Sequence, residues 1–148
     1  MPFANGSFDL ITCFGVLHHI PNVSFVLGEM GRVTRSGGYA LVREPITSMG
    51  DWRRPRAGLT VHERGIPIRI FERMVDRAGF DVVRRRYCML GPLQKVLSRV
   101  MRCPFNSTLA TQLDSLGCAL TAWNRSYHAT KAVQKLRPGS VYLVLRKR

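Results

Sequence analysis

The sequence predicts an α/β fold built on a parallel pair of strands. The mostly apolar run Phe8–Phe14 follows the turn Asn5-Gly6-Ser7 and ends at Gly15. An uninterrupted run of this kind is typical of a strand that is covered on both faces. A helical pattern and a second apolar run, Tyr39–Val42, come next. Strand, helix and strand form a βαβ unit, which we expect to be parallel and right-handed.

The helix of this unit is predicted from its start signal and its apolar face. Asn22, directly after Pro21, is a suitable N-cap. We expect Gly37 to end the helix, because glycine readily adopts a left-handed conformation there. The apolar face consists of Val23, Val26, Leu27, Met30 and Val33. The second strand then ends at Arg43-Glu44-Pro45.

A long loop and a second helix–strand pair occupy the middle of the chain. Residues 46–65 show no periodicity, and a loop of that length in a compact domain is often functional. Pro67 suits the first position of the next helix, and Gly79 suits its end. The run Phe80–Met89 is predicted to be the third strand.

The last third of the chain is predicted to be a helical insertion before a final strand. Residues 91–139 are largely helical in pattern, and Pro138-Gly139 is predicted to be a turn before the strand Val141–Leu145. One stripe has nearly heptad spacing: Leu109, Leu113, Leu116, Leu120 and Trp123. A heptad stripe this short is usually core packing, which is our interpretation. Residues 1–148 are expected to form a single domain.

Three motifs occur in a characteristic order: PFxxxSFDLI from Pro2, VLHHIP from Val16 and RVTRSGG from Arg32. Together they resemble the class I S-adenosylmethionine-dependent methyltransferases. In that family the first strand seen here is the fourth, after a glycine-rich turn and a ribose-binding acid. No G-x-G-x-x-G turn occurs in this sequence. The resemblance therefore implies the C-terminal part of a methyltransferase, with an incomplete Rossmann-like sheet, flanking helices and weak or no binding of S-adenosylmethionine.

The resemblance also implies where the cofactor would bind. Ligands of open α/β sheets bind at the carboxyl ends of strands, so the backbone of Phe14 and Gly15 would meet the methionine part of S-adenosylmethionine. Residues Val16 to His19 would line the floor of the pocket, with Val16 and His19 in contact with the cofactor. His18 or His19 could be the general base, because histidine titrates near neutral pH. The alternative is that one histidine caps or packs against the following helix.

Charged residues near the same edge are candidates for binding the methyl acceptor. Arg43 and Glu44 end the second strand, where they contact either the acceptor or each other as an internal ion pair. The long loop carries Trp52, Arg53, Arg54 and Arg56. Arginine can grip carboxylate or phosphate with two parallel hydrogen bonds, so this loop could close over an acidic acceptor. It could equally be a solvated basic loop.

Composition adds an alternative function. The net charge of +14 favours anionic partners, so a non-catalytic module that binds nucleic acid or another polyanion is the competing hypothesis. Arginine-rich codon usage, with loss of an acidic first half, is the simpler explanation of the charge. The four cysteines form no C-x-x-C pair, so no metal is predicted. Without a signal peptide or an apolar bilayer-spanning run, we expect a cytoplasmic protein with reduced thiols. An uncovered sheet edge favours self-association.

Overall fold

The computed structural model describes residues 1–51 and 53–148, which form one mixed sheet with flanking helices. The strands are β1 (Phe8–Phe14), β2 (Thr34–Pro45), β3 (Phe80–Leu90) and β4 (Pro138–Lys147). The α-helices are α1 (Val23–Val33), α2 (Ile68–Arg77), α3 (Gly91–Val100) and α4 (Thr108–Leu120). Three short 3-10 turns span Leu17–His19, Pro104–Asn106 and Val133–Lys135.

The strand order is β1-β2-β4-β3, with β1 at one edge. β1 and β2 are parallel, while β4 runs antiparallel to both β2 and β3. The predicted parallel pairing of the first two strands is thus confirmed. Phe14 pairs with Arg43, so the carboxyl ends of β1 and β2 lie level at one end of the sheet. That register brings the turn after β1 beside the last residues of β2.

The core lies between one face of the sheet and the helices α1 and α2. Along β4, the buried residues Val141, Leu143 and Leu145 alternate with the half-buried Tyr142 and Val144, as a pleated strand requires. The buried set also includes Leu27 and Met30 from α1, Ala40 and Val42 from β2, and Phe71 and Val75 from α2. The predicted apolar face of the first helix is therefore the face that packs on the sheet.

Some element boundaries differ from the sequence prediction. α1 ends at Val33 rather than at Gly37, because Thr34 pairs with Phe8 and already belongs to β2. Gly37 does adopt the left-handed conformation, with φ +78°, but inside the β2 strand. The predicted turn at Pro138-Gly139 is wrong, since both residues belong to β4 and Pro138 pairs with Leu90. These residues were misassigned because long-range pairing overrides their local preferences.

The heptad stripe of α4 is exposed, so its interpretation as core packing is wrong. Its five apolar side chains, from Leu109 to Trp123, are between 43% and 71% exposed. The helix instead buries Ala110, Asp114 and Cys118. The Asp114 carboxylate accepts hydrogen bonds from the backbone amides of Met89 (2.8 Å) and Leu90 (2.7 Å), which fixes the helix to the end of β3.

Within residues 1–51 and 53–148, no helix has the length and apolarity needed to cross a membrane.

Candidate functional site

The candidate site lies at the carboxyl ends of β1 and β2, where the chain turns sharply at Gly15. Gly15 has φ +66°, a conformation that residues with a Cβ adopt only with strain. Its amide donates to the carbonyl of Arg43 at 2.8 Å. The turn ends the strand pairing and sends the chain back over the core face. The 3-10 turn Leu17–His19 follows directly.

The side chain of Glu44 anchors this turn through hydrogen bonds to its backbone amides. This side chain is completely buried. Oε1 accepts from the amides of Val16 (3.0 Å) and Leu17 (2.8 Å), and Oε2 accepts from the amide of His18 at 3.2 Å. Oε2 also lies 2.8 Å from Nδ1 of the His18 ring. The amides at the start of a short helix lack partners within it, and one carboxylate satisfies them here.

Strand geometry explains why Glu44 and Arg43 have different roles. Successive side chains of a strand point to opposite faces of the sheet. Glu44 shares the core face with Ala40 and Val42, whereas Arg43 lies on the other face, where its guanidinium contacts Met89 Sδ at 3.4 Å. An ion pair between Arg43 and Glu44, one of the two sequence-based alternatives, is therefore not formed. The side-chain partner of Glu44 is instead the His18 imidazole.

Two histidines and a distant glutamate converge beside the turn. His18 is only 8% exposed, and its Nε2 lies 3.7 Å from Oε1 of Glu63. His19 is more open, and its Nδ1 lies 3.5 Å from Oε2 of the same carboxylate. The two imidazole rings are 4.0 Å apart between centroids. The structure thus joins both predicted histidines into one cluster with a residue more than forty positions away.

Glu63 is presented by the returning end of the long loop. The Arg64 amide donates to the His18 carbonyl at 3.0 Å, and the Ile66 amide donates to the Pro45 carbonyl at 2.8 Å. A hydrogen bond from the Thr60 amide, at 2.9 Å, holds the pKa of Glu63 below its usual value, and the nearby histidines add to this effect. Glu63 is therefore ionised at neutral pH and presents a full negative charge to both imidazoles.

Three of the four residues predicted to touch the cofactor, Phe14, Gly15 and Val16, are consecutive at the turn, while the fourth, His19, lies in the histidine cluster. Phe14 is exposed and stacks on Tyr142, with ring centroids 5.7 Å apart. Val16 is also exposed, next to Gly15. Arg43 reaches the same place, since its guanidinium lies 3.5 Å from the position that a Cβ on Gly15 would occupy. Phe14, Gly15, Val16 and Arg43 thus form an open surface beside the histidine cluster.

The basic loop is only partly associated with this site. Arg53 and Arg54 are exposed and interact with Asp51. Arg56 donates to the carbonyls of Met49 (3.2 Å) and Thr60 (3.0 Å), so it ties the two sides of the loop together. Trp52 lies outside the described residues. Contact of the loop arginines with an acceptor therefore stays a prediction.

Sequence reasoning missed Glu63 and the anchoring role of Glu44. Glu63 lies in a loop without periodicity, and nothing local relates it to the VLHHIP motif. Glu44 could be recognised only as a charged residue that ends a predicted strand at the binding edge. Which face it would occupy depended on the register of β2, and that register is set by pairing with β1 and β4.

The cysteine beside the site is expected to be unreactive. Burial, followed by the charge of Glu44, raises the pKa of Cys13 to about 11, and burial followed by Asp114 raises that of Cys118 to about 12. Cys103 is exposed. Because thiolate is the nucleophile, iodoacetamide near neutral pH should alkylate Cys103 at least about tenfold faster than Cys13. Peptide mass spectrometry measures the rates, with the urea-unfolded chain as control; similar rates in the folded chain would contradict the expectation.

Comparison with known proteins identifies the architecture. Residues 1–42 match the family model described as "Methyltransferase domain". A search of curated protein sequences found no match. Among solved structures, a candidate methyltransferase from Bacillus halodurans is 21% identical over 99% of this chain and 73% of its own, with a TM-score of 0.57.

Two further structures extend the comparison. A candidate sarcosine dimethylglycine methyltransferase from Galdieria sulphuraria is 17% identical over 99% of this chain, with a TM-score of 0.61. Phosphoethanolamine N-methyltransferase 2 of Haemonchus contortus, solved with S-adenosylhomocysteine, is 13% identical over 98% of this chain, with a TM-score of 0.54. The chain spans 56% and 35% of these two proteins. Residues 1–42 thus have the sequence pattern of a methyltransferase domain, and the chain has the fold of the corresponding part of S-adenosylmethionine-dependent methyltransferases.

Proposed function

We propose that the chain takes part in methyl transfer from S-adenosylmethionine to an acidic small-molecule acceptor. The observation that carries this proposal is the Gly15 turn, open at the carboxyl end of β1, inside the segment that matches a methyltransferase domain. Fold alone does not define an activity, so the argument rests on this site. The comparisons give no support to the alternative of a polyanion-binding module.

The methionine part of the cofactor would lie against the exposed surface of Phe14, Gly15 and Val16. A glycine there lets the ligand approach the backbone closely. Arg43, on the same face and next to Gly15, supplies a positive charge for the carboxylate of the cofactor or of the acceptor. Methyl transfer is an in-line attack, so positioning of cofactor and acceptor is the main contribution of such a surface.

The histidine cluster would lie on the acceptor side. His19 is the more accessible of the two rings, so it is the better candidate for taking a proton from an acceptor hydroxyl or amine. His18 is held by Glu44 and would act mainly by positioning His19 and the turn. The loop with Arg53, Arg54, Arg56 and Trp52 would cover the acceptor.

Calorimetric titration with S-adenosylhomocysteine tests the cofactor surface. Since no G-x-G-x-x-G turn occurs in the sequence, we expect weak binding by this chain. Gly15→Val should weaken it further, by at least about tenfold, because the side chain intrudes on the ligand and the backbone becomes strained. Gly28→Ala is the matched control, because Gly28 lies on α1 with open space around it.

Two results would contradict the proposal. Equal affinity of the wild type and Gly15→Val would move the cofactor away from this turn. Methyl-labelled S-adenosylmethionine, offered with carboxylate- and phosphate-bearing acceptors, provides the activity readout. Label transfer that survives Gly15→Val unchanged would likewise exclude this turn as the site.

The predicted cytoplasmic location and the self-association through the β1 edge are separate predictions.

A further inference from the structure

We propose that His18, His19 and Glu63 form a binding site for a divalent first-row transition metal ion of the Zn²⁺ or Fe²⁺ class. One ligand atom from each of the three side chains lies within 4.8 Å of the others. Two imidazole nitrogens and one carboxylate, with further positions open, are a ligand set that such ions favour. The inference does not rest on methyl transfer, but it concerns the same histidines: with an ion bound, His19 would be a ligand and not a general base.

The distances fit one ion. Two ligands that each bind a tetrahedral ion at about 2.1 Å lie about 3.4 Å from each other. The Glu63 carboxylate is 3.7 Å from His18 Nε2 and 3.5 Å from His19 Nδ1. These separations are too long for direct hydrogen bonds, yet they need only a small adjustment to enclose an ion.

The hydrogen bonding of His18 identifies the nitrogen that would bind the ion. An ionised carboxylate can only accept hydrogen bonds, so Nδ1, which lies 2.8 Å from Glu44 Oε2, carries a proton. In the neutral imidazole, Nε2 then has a free lone pair, and this lone pair faces the second carboxylate, Glu63. Two acceptors facing each other repel unless a positive charge lies between them. A metal ion there would relieve the repulsion.

Glu44 gives the arrangement that metal sites commonly have around a histidine ligand. A ligating imidazole usually donates its other N–H to a carboxylate or carbonyl, which fixes the ring and raises its basicity. Here the buried Glu44 accepts from His18 and also fixes the backbone of the same turn. The second carboxylate, Glu63, is itself held by Thr60 through its amide. His18 and Glu63 are therefore oriented before any ion binds, while His19 Nδ1 lies 3.3 Å from the Thr60 hydroxyl oxygen.

The two carboxylates beside the imidazoles also favour a cation. Both lie in a largely buried position, because Glu44 is fully buried and the Glu63 side chain is 12% exposed. A buried carboxylate is costly unless it is paired. A divalent ion between the imidazoles and Glu63 would provide such a partner.

The test is calorimetric titration of the full chain with Zn²⁺, in a Cys103→Ser background that removes the exposed thiol. We expect one ion per chain. Glu63→Gln keeps the shape of the side chain but loses a charged ligand, and it should weaken binding by at least about tenfold. His62→Ala is the matched control, because His62 is the exposed neighbour of Glu63 and lies outside the cluster. It should bind Zn²⁺ like the wild type.

A second, spectroscopic readout does not depend on calorimetry. Co²⁺ bound by two imidazoles and a carboxylate should give visible absorption bands in the wild type and in His62→Ala, and these should be lost in His19→Ala. Cooperative urea unfolding of each variant shows that it is folded. Absence of Zn²⁺ binding by the folded wild type, or equal loss in Glu63→Gln and His62→Ala, would overturn the proposal. Ion binding by a chain whose S-adenosylhomocysteine affinity is the same in the wild type and in Gly15→Val would leave this site standing and count against the proposed methyl transfer.

Discussion

Glu44→Gln is expected to lower the free energy of unfolding by about 2–4 kcal/mol, because one carboxylate serves four donors. Val16, Leu17 and His18 donate their amides to it, and the His18 ring donates as well. A glutamine offers one acceptor oxygen, while its NH₂ group would face backbone amides. At least two buried donors would lose their partner. Urea unfolding measures the change in stability.

Amide hydrogen exchange gives a local test of the same substitution. In Glu44→Gln, the amides of Leu17 and His18 should exchange faster. Amides in the centre of β4 should slow down or speed up only as much as the free energy of global unfolding changes. Glu29→Gln is the control, since Glu29 forms its contacts with Arg32 and the N-terminus at the surface, where ion pairs contribute little. Unchanged stability in Glu44→Gln would mean that the turn does not depend on this carboxylate.

Local signals in the sequence predicted the elements of the first βαβ unit well. The strand Phe8–Phe14 has the predicted bounds, because a turn and a glycine flank an uninterrupted apolar run. Asn22 is the N-cap of α1, and its side chain accepts from the Phe25 amide at 3.1 Å. Such signals depend on residues within a few positions of each other, so a single sequence contains them in full.

Features that depend on distant partners could not be predicted in this way. The exposed side of α4 is the clearest example, because its leucine stripe has nearly heptad spacing and is nevertheless exposed. The side that α4 buries carries Asp114, whose carboxylate accepts from two backbone amides at the end of β3. That contact depends on residues more than twenty positions away. The same reason explains why His18 and His19 were found in the sequence but Glu63 was not.

The long loop contributes to the site through its ends rather than through its arginines. Arg56 ties its outward and returning parts together, and the returning part places Glu63 beside the histidines. A second anchor is Tyr127, whose hydroxyl donates to the Gly65 carbonyl at 2.8 Å and whose carbonyl accepts from the Ser48 amide. The segment after α4 therefore supports the loop that completes the histidine cluster.

Gly65→Ala is expected to have the largest effect within this loop, lowering the free energy of unfolding by about 3 kcal/mol. A Cβ at this position would overlap the carbonyl oxygen of Thr47 and lie 2.8 Å from its carbonyl carbon and 3.0 Å from its nitrogen. These are backbone atoms, so no side-chain rotation relieves the overlap. The returning chain must move away from Thr47, and Glu63 moves with it. Zn²⁺ affinity should therefore fall together with stability.

Gly58→Ala is the control that separates steric overlap with Thr47 from the general effect of replacing a loop glycine. Gly58 lies in the same loop with φ +74° and open space around it, so alanine there meets backbone strain but no overlap. We expect a loss of about 1 kcal/mol and unchanged Zn²⁺ affinity. Urea unfolding and calorimetry on both variants make the comparison. If Gly65→Ala were no more destabilising than Gly58→Ala, the close packing of the loop against Thr47 would not position Glu63.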